Sequence, residues 1–143
     1  MMNDKILDKF KKCLRKESQK VTPQRIAVLE EIIEDMGHRE SEEIYMAIKN
    51  RSIHVSRATV YRTLDILVQN NFVRKLNLGD GRARYESKIG SHHHDHMICN
   101  ICGKIIEYVD YEIEKLQEKV TKKYDFILEH HIHQLFGICK GCQ

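Results

Sequence analysis

Between Ser91 and Gly103 the chain reads S-H-H-H-D-H-M-I-C-N-I-C-G, four histidines and an aspartate directly before a C-x-x-C pair. Imidazole, carboxylate and thiolate are the side chains that hold metal ions, and packing does not explain such a density of them. Alternate residues of a strand point to opposite faces. Read as a strand, the run places His92, His94 and His96 on one face and His93 and Asp95 on the other. It can therefore feed two metal sites, while Cys99 and Cys102 begin a third.

A second C-x-x-C pair, Cys139 and Cys142, closes the sequence. Each such turn brings two sulfurs close enough to share one tetrahedral zinc, and two turns complete a closed four-thiolate shell with no open position, which is structural rather than catalytic. The occurrence of both pairs, with no βαβ pattern around them, argues against a thioredoxin-like redox pair. The fifth cysteine, Cys13, reads as a small apolar residue on a helix. The nitrogen and oxygen donors to apportion are His92, His93, His94, Asp95, His96, Glu107, Glu112, Glu114, His130, His131 and His133, with His38 and Glu86 further back. Mixed imidazole and carboxylate sets suit divalent iron, manganese or zinc, and affinity order alone does not choose among them. Spacing alone leaves the apportioning open. Glu112 and Glu114 equally suit a solvated helix face, and His38 a surface loop.

The elements that must position these residues follow from periodicity. Ile6, Leu7, Phe10 and Leu14 recur at helical spacing over 3–16. Thr22-Pro23 is a helix start, a capping hydroxyl followed by proline at the first helical position. Ile26, Val28, Leu29, Ile32 and Ile33 follow, and Gly37 is expected to stop that helix. Ser41 is expected to cap a short helix carrying Ile44, Tyr45 and Ile48. Ser56 caps a longer one, buried along Val60, Leu64, Leu67 and Val68, with Ala58, Arg62, Asp65 and Gln69 outward and Thr59 and Tyr61 flanking them. Strands are expected at 72–78 and 82–86 around the turn Gly79-Asp80-Gly81. Helices followed by a β-hairpin is the order of a winged helix-turn-helix. After a short linker, strands are expected at 94–99 and 104–109. A helix capped by Asp110 then runs to about Tyr124 with Ile113, Leu116, Val120 and Tyr124 as its stripe, and a last strand spans 126–137. The expected fold class is α+β, with domains at 1–86 and 92–143 and a hinge at 87–91. The second domain is too small to bury much core by itself and needs zinc, a partner subunit, or both.

A length of 143 residues suits one ordinary domain or two small ones, and a 41% hydrophobic, 31% charged composition suits a soluble globular chain. No apolar run is long enough to span a bilayer, and no signal peptide is evident, so the expected location is the cytoplasm. Net charge is +3, but residues 1–90 hold 18 basic against 13 acidic groups, and 91–143 hold 6 against 8 with seven of the nine histidines. A basic first module and a ligand-rich second one are compatible with nucleic-acid binding. An enzyme reading, through the H-x-H-x-D-H motif of binuclear metallohydrolases, fails. In the register that fits Asp95 and His96, Ser91 stands where the first histidine is required, and no nucleophile constellation appears. A metal-storage module would need neither the helix at 56–70 nor the hairpin after it.

The chain resembles the ferric uptake regulator family of bacterial metal-dependent repressors. The resemblance rests on A-T-V-Y-R-T-L at 58–64, H-H-H-D-H-M-I-C at 92–99, C-G-K-I-I-E at 102–107 where the family matches, and the closing C-x-x-C; it covers essentially everything from Lys20 onward. It implies an N-terminal winged-helix DNA-binding domain and a C-terminal α/β dimerisation domain, not an enzyme. It also divides the ligands. Cys99, Cys102, Cys139 and Cys142 would hold structural Zn2+. His38, Glu86, His94, His96 and Glu107 would hold the regulatory metal, and His93, Asp95, Glu114 and His131 an auxiliary one. The implied partners are a second copy of the chain and a palindromic, A/T-rich double-stranded operator, with no membrane and no small-molecule substrate. Helix-turn-helix geometry sends the first residues of the 56–70 helix into the major groove; Arg57, Thr59, Tyr61 and Arg62 are the expected contacts there, and Lys20 matches a minor-groove lysine. Peroxide sensors of the family use aspartates where this chain has Glu86 and Glu107, and its zinc sensors place a cysteine in the sensing set. The iron-type pattern, with Fe2+ as co-repressor of iron-homeostasis genes, fits best. Manganese, zinc or peroxide sensing are the alternatives.

Overall fold

A computed structural model describes residues 2–143; residue 1, at the head of the expected first domain, lies outside them. The chain divides into two compact units, Met1–Ser91 and His92–Gln143.

The first unit is built on four helices, α1 (Asp4–Lys16), α2 (Pro23–Glu34), α3 (Ser41–Asn50) and α4 (Arg57–Gln69), followed by the hairpin β1 (Val73–Asn77) and β2 (Ala83–Ser87). Each helix starts where a side chain satisfies a first-turn N–H that the helix itself leaves unpaired. Asn3, Thr22 and Ser56 accept from Ile6, Arg25 and Thr59 respectively. Ser41 is not the cap expected of it. It is the first helical residue of α3, and Glu40 caps in a reciprocal box with Glu43, whose carboxylate accepts the Glu40 N–H at 2.7 Å. Gly37 does not stop α2 either. The helix ends at Glu34 with Asp35 as its cap, and the Asp35 carboxylate then accepts the Gly37 N–H at 2.9 Å. A Cβ at Gly37 would sit 2.9 Å from that same oxygen, so close approach is what the glycine provides.

The hairpin turns at Gly79 and Gly81, both at positive φ (79° and 76°), a backbone open to glycine at little cost. The strands pair antiparallel with Arg74 opposite Glu86 and Val73 opposite Ser87. Ser87, expected as the first hinge residue, is thus the last residue of β2. The core is apolar and continuous: Phe10 and Leu14 of α1, Val28, Leu29 and Ile32 of α2, Ile44 and Ile48 of α3, Val60, Leu64 and Leu67 of α4, and Phe72 and Val73 are all buried. Val68 is only half-buried, and Thr63 takes the buried place beside Leu64. Each fully buried Leu, Ile or Phe contributes about 1.5–3 kcal/mol. Phe10 meets Phe72 edge-on at 5.9 Å, tying α1 to the start of the hairpin.

The second unit has a three-stranded sheet ordered β4-β3-β5. Its central strand β3 (Asp95–Cys99) runs antiparallel to β4 (Ile105–Tyr108) and parallel to β5 (Gln134–Gly137), with helix α5 (Tyr111–Lys123) in the crossover. Asp110 caps α5 as expected, accepting from Glu112 and Ile113. The expected strand over 126–137 is reduced to its last four residues. Among the described residues Gln134–Gly137 pair with His96–Cys99 of β3, and 126–133 lie outside the strands. The expected stripe of α5 is not buried within the chain: Leu116, Val120 and Tyr124 are 59%, 56% and 72% exposed. The buried residues of this unit are Asp95, His96, Ile98 and Cys99, which are mostly potential ligands rather than core. No helix among the described residues is long and apolar enough to cross a membrane.

Candidate metal centres and nucleic-acid interface

The four cysteines converge. Cys99 ends β3, Cys102 follows on the turn that Gly103 completes at φ +73°, and after β5 Cys139 precedes and Cys142 ends a short 3-10 turn. Parallel pairing of β5 with β3, Cys99 opposite Gly137, brings the second pair to the first. Cys102 Sγ lies 3.7 Å from Cys139 Sγ. Zinc–sulfur bonds of about 2.3 Å set the edge of a tetrahedral shell at roughly 3.8 Å, so the spacing fits zinc. The backbone N–H groups of Cys102, Cys139 and Ile101 point at Cys99 Sγ and hold its thiol down to about 6, whereas hydrogen bonding to the Cys139 and Cys102 sulfurs pushes Cys142 up to about 12. Four sulfurs this close cannot all ionise without a cation among them.

A second set lies wholly in the C-terminal unit. His93 precedes β3, Asp95 opens it, Glu114 stands in the first turn of α5, and His131 lies just before β5. His93 Nε2 is 3.2 Å from Glu114 Oε1 and 3.8 Å from Asp95 Oδ1; His131 Nε2 is 3.3 Å from Asp95 Oδ1 and 3.5 Å from Glu114 Oε1. The His131 nitrogen is buried with no hydrogen-bond partner among the described residues, although two carboxylate oxygens face it. Two converging nitrogens, one of them buried and orphaned, and two carboxylate oxygens fit a divalent cation. His133 lies beside this set, its Nδ1 3.0 Å from the Tyr108 hydroxyl and 3.7 Å from Asp95 Oδ2. His92, His130 and Glu112 are exposed.

The remaining expected ligands form two groups, one in each unit. In the first unit, the loop after α2 is fastened to β2 by a reciprocal bridge between Arg39 and Tyr85, with N–H to O distances of 3.1 and 2.7 Å. That bridge sets His38 beside Glu86, Nε2 to Oε2 2.6 Å. Glu86 is 3% exposed, and its other oxygen receives Arg74 Nη1 at 2.8 Å from the opposite strand. In the second unit, His96 on β3 is the register partner of Glu107 on β4, so both leave the same face. His94 joins them, its ring 5.0 Å from that of His96 and its Nε2 3.6 Å from Glu107 Oε1. The His92 carbonyl lies 2.8 Å from His94 Nδ1. A carbonyl only accepts, so Nδ1 carries the proton and the Nε2 lone pair is left for a ligand role, the usual outer-shell arrangement of metal-binding histidines. Here too nitrogen and carboxylate donors fit a divalent cation. The pairing of His94 with His96 and of His93 with Asp95 matches the expected alternation, although residues 92–94 precede the strand.

On α4, Tyr61 is 50% exposed, and Arg57 and Arg62 are exposed while Thr59 is half-buried. Thr59 is drawn into the cap, its hydroxyl 3.0 Å from that of Ser56. Arg57 is engaged within the chain: its Nε and Nη2 both reach the Glu42 carboxylate. Lys20 is exposed ahead of α2, and its carbonyl accepts Arg25 Nη1 at 2.6 Å. Lys20, Gln24, Arg25, His54, Ser56 and Thr59 line one concavity at the start of α4. Gln24, Arg25 and His54 escaped the sequence reading. The only signal for the first two was their place in the first turn after the Thr22-Pro23 cap.

Residues 16–136 match the model of the ferric uptake regulator family. A ferric uptake regulation protein of Campylobacter upsaliensis is 41% identical over 141 residues, covering 97% of this chain and 90% of the relative. A peroxide-responsive repressor of Staphylococcus epidermidis is 32% identical over 130 residues, covering 91% and 85%. Among solved structures, the ferric uptake regulator of Helicobacter pylori, described as having three functional metal binding sites, superposes with a TM-score of 0.87 at 36% identity, covering 99% of this chain and 94% of the other.

Proposed function

The chain belongs to the ferric uptake regulator family of metal-responsive transcriptional repressors, and on that premise we propose that it represses iron-uptake and iron-homeostasis genes with Fe2+ as co-repressor. The observation that carries this reading is the division of the regulatory donors. His38 and Glu86 are a pair in one unit, and His94, His96 and Glu107 are a trio in the other. Each group by itself leaves coordination positions open, and in this reading the five residues together would hold the regulatory cation. A cation held by these residues would supply positive charge to their nitrogen and carboxylate donors. Arg74 and the Arg39–Tyr85 bridge hold Glu86 and His38 ready for it, and the His92 carbonyl holds His94 in the ligating tautomer. The metal stabilises the DNA-competent arrangement only by binding it more tightly than the alternatives.

Cys99, Cys102, Cys139 and Cys142 hold structural zinc in this reading, and His93, Asp95, Glu114 and His131 an auxiliary ion. The working form is a homodimer. The exposed Leu116, Val120, Phe126, Ile127 and Ile132 form more apolar surface than a lone small unit keeps in water, and a second copy covers it. In the dimer the two α4 helices enter successive major grooves of a palindromic, A/T-rich operator about 34 Å apart. Tyr61 meets a thymine methyl, Arg62 and Arg57 meet base edges or phosphates, Thr59 supports them, and Lys20 reaches the minor groove. The role is binding without catalysis, carried out in the cytoplasm. The test is an anaerobic gel shift on such an operator with Fe2+, Mn2+ and Zn2+ in turn, and with peroxide added to the iron form. Iron-dependent retention at the lowest free-metal concentration supports the proposal; retention driven only by another metal, or abolished irreversibly by peroxide, replaces it with another sensor type.

A further inference from the structure

Arg57 is the first helical residue of α4, where the helix dipole disfavours a cation. Its guanidinium is nevertheless fixed. Nε lies 2.9 Å and 3.2 Å from the two oxygens of Glu42, and Nη2 lies 2.7 Å from one of them, while the guanidinium carbon sits over the Tyr45 ring, 4.3 Å from its centroid. This fork on a two-oxygen anion is also the geometry in which arginine takes a phosphate. Glu42 stands in the first turn of α3, and Lys49 is the other cation near its carboxylate. Both partners are about half exposed (57% and 48%). Such a pair contributes little to stability and exchanges readily for a stronger anion.

We propose that Glu42 is an internal competitor for DNA: its carboxylate occupies Arg57 in place of a backbone phosphate and sets how tightly the regulator holds DNA of any sequence. The inference rests on the DNA-binding reading above and adds a residue that itself touches no DNA. Contact with the Tyr45 ring keeps the guanidinium at the surface when Glu42 lets go, so loss of the carboxylate frees Arg57 already oriented. The competitor holds down sequence-independent binding, leaving discrimination to the base contacts.

The test compares the metal-loaded full chain, Glu42→Gln, Arg57→Ala and the double variant on operator and random duplexes across a salt series. Glu42→Gln is expected to bind both duplexes several-fold more tightly. Its affinity should fall more steeply with salt, by about one extra phosphate contact, so that its advantage shrinks roughly 3-fold between about 50 and 200 mM. In the Arg57→Ala background the same substitution should lose most of its effect. An equal gain with and without Arg57 would show a general charge effect and overturn the proposal. Weaker binding by Glu42→Gln would overturn it too, making Glu42 a positioning residue for Arg57. Failure of the parent to bind either duplex would instead defeat the DNA-binding reading, which separates the two.

Discussion

The two units are held together by different means. Residues 4–87 bury a continuous apolar cluster fed by all four helices and the hairpin. Residues 92–143 bury Ile98 and Cys99 as their apolar residues, and beside them Asp95 and His96. Such a unit cannot draw its stability from area alone. What it gathers instead is potential ligands: four thiols at the chain end and the end of β3, and two histidines with two carboxylates between α5 and the sheet. The teaching is that the first unit is folded by burial and the second by chemistry. The second is therefore expected to depend on bound metal for its folding, and the first is not.

The largest effect should come from removing the thiolate cross-link. Structural zinc sites carry about 10–16 kcal/mol of apparent binding free energy. Cys102→Ser is expected to lose zinc, ordered structure over 92–143 and the dimer, while amide signals from 4–87 keep their dispersion; a zinc-free variant that is still dimeric and ordered would break the contrast. Next is the core of the first unit. Phe10→Ala should cost about 3–5 kcal/mol in denaturant unfolding without changing zinc content. Ser56→Ala removes the cap of α4, which is expected to cost about 1 kcal/mol and to weaken operator binding along with it. The smallest effect on the chain's own stability, within about 0.5 kcal/mol, is expected for Leu116→Glu on the open face of α5. Sedimentation of that variant as a monomer would sharpen the contrast, and retention of the parent's dimer would place the interface elsewhere.

The sequence disclosed the first unit better than the second because its signals are local. Thr22-Pro23 and Ser56 cap the helices where the pattern puts them, whereas Glu40, one residue before Ser41, caps α3, and α2 ends at Glu34 before Gly37, whose N–H bonds the Asp35 carboxylate. The stripe of α5 is amphipathic as its periodicity predicts, but periodicity says nothing of what covers it, and Leu116, Val120 and Tyr124 stay exposed. The β-branched and aromatic residues at 126–133 suit a strand, but among the described residues only 134–137 are paired to β3. Ligand identity was legible as composition. Apportioning it required the family resemblance, since only pairing of β3 with β4 and β5 brings Glu107 and His131 to their histidines.

The central claim is that His38 with Glu86, and His94 with His96 and Glu107, share one regulatory cation that couples the units to DNA. Anaerobic Fe2+ titration of the zinc-loaded protein, reading operator affinity and metal content together, tests it most directly when parent, His38→Ala and His96→Ala are run side by side. Operator affinity of the parent should rise roughly 5- to 150-fold as the regulatory iron binds, and both variants, one in each unit, should lose that rise while keeping the four-thiolate zinc. Iron-dependent operator affinity equal to the parent's in either variant would contradict the account.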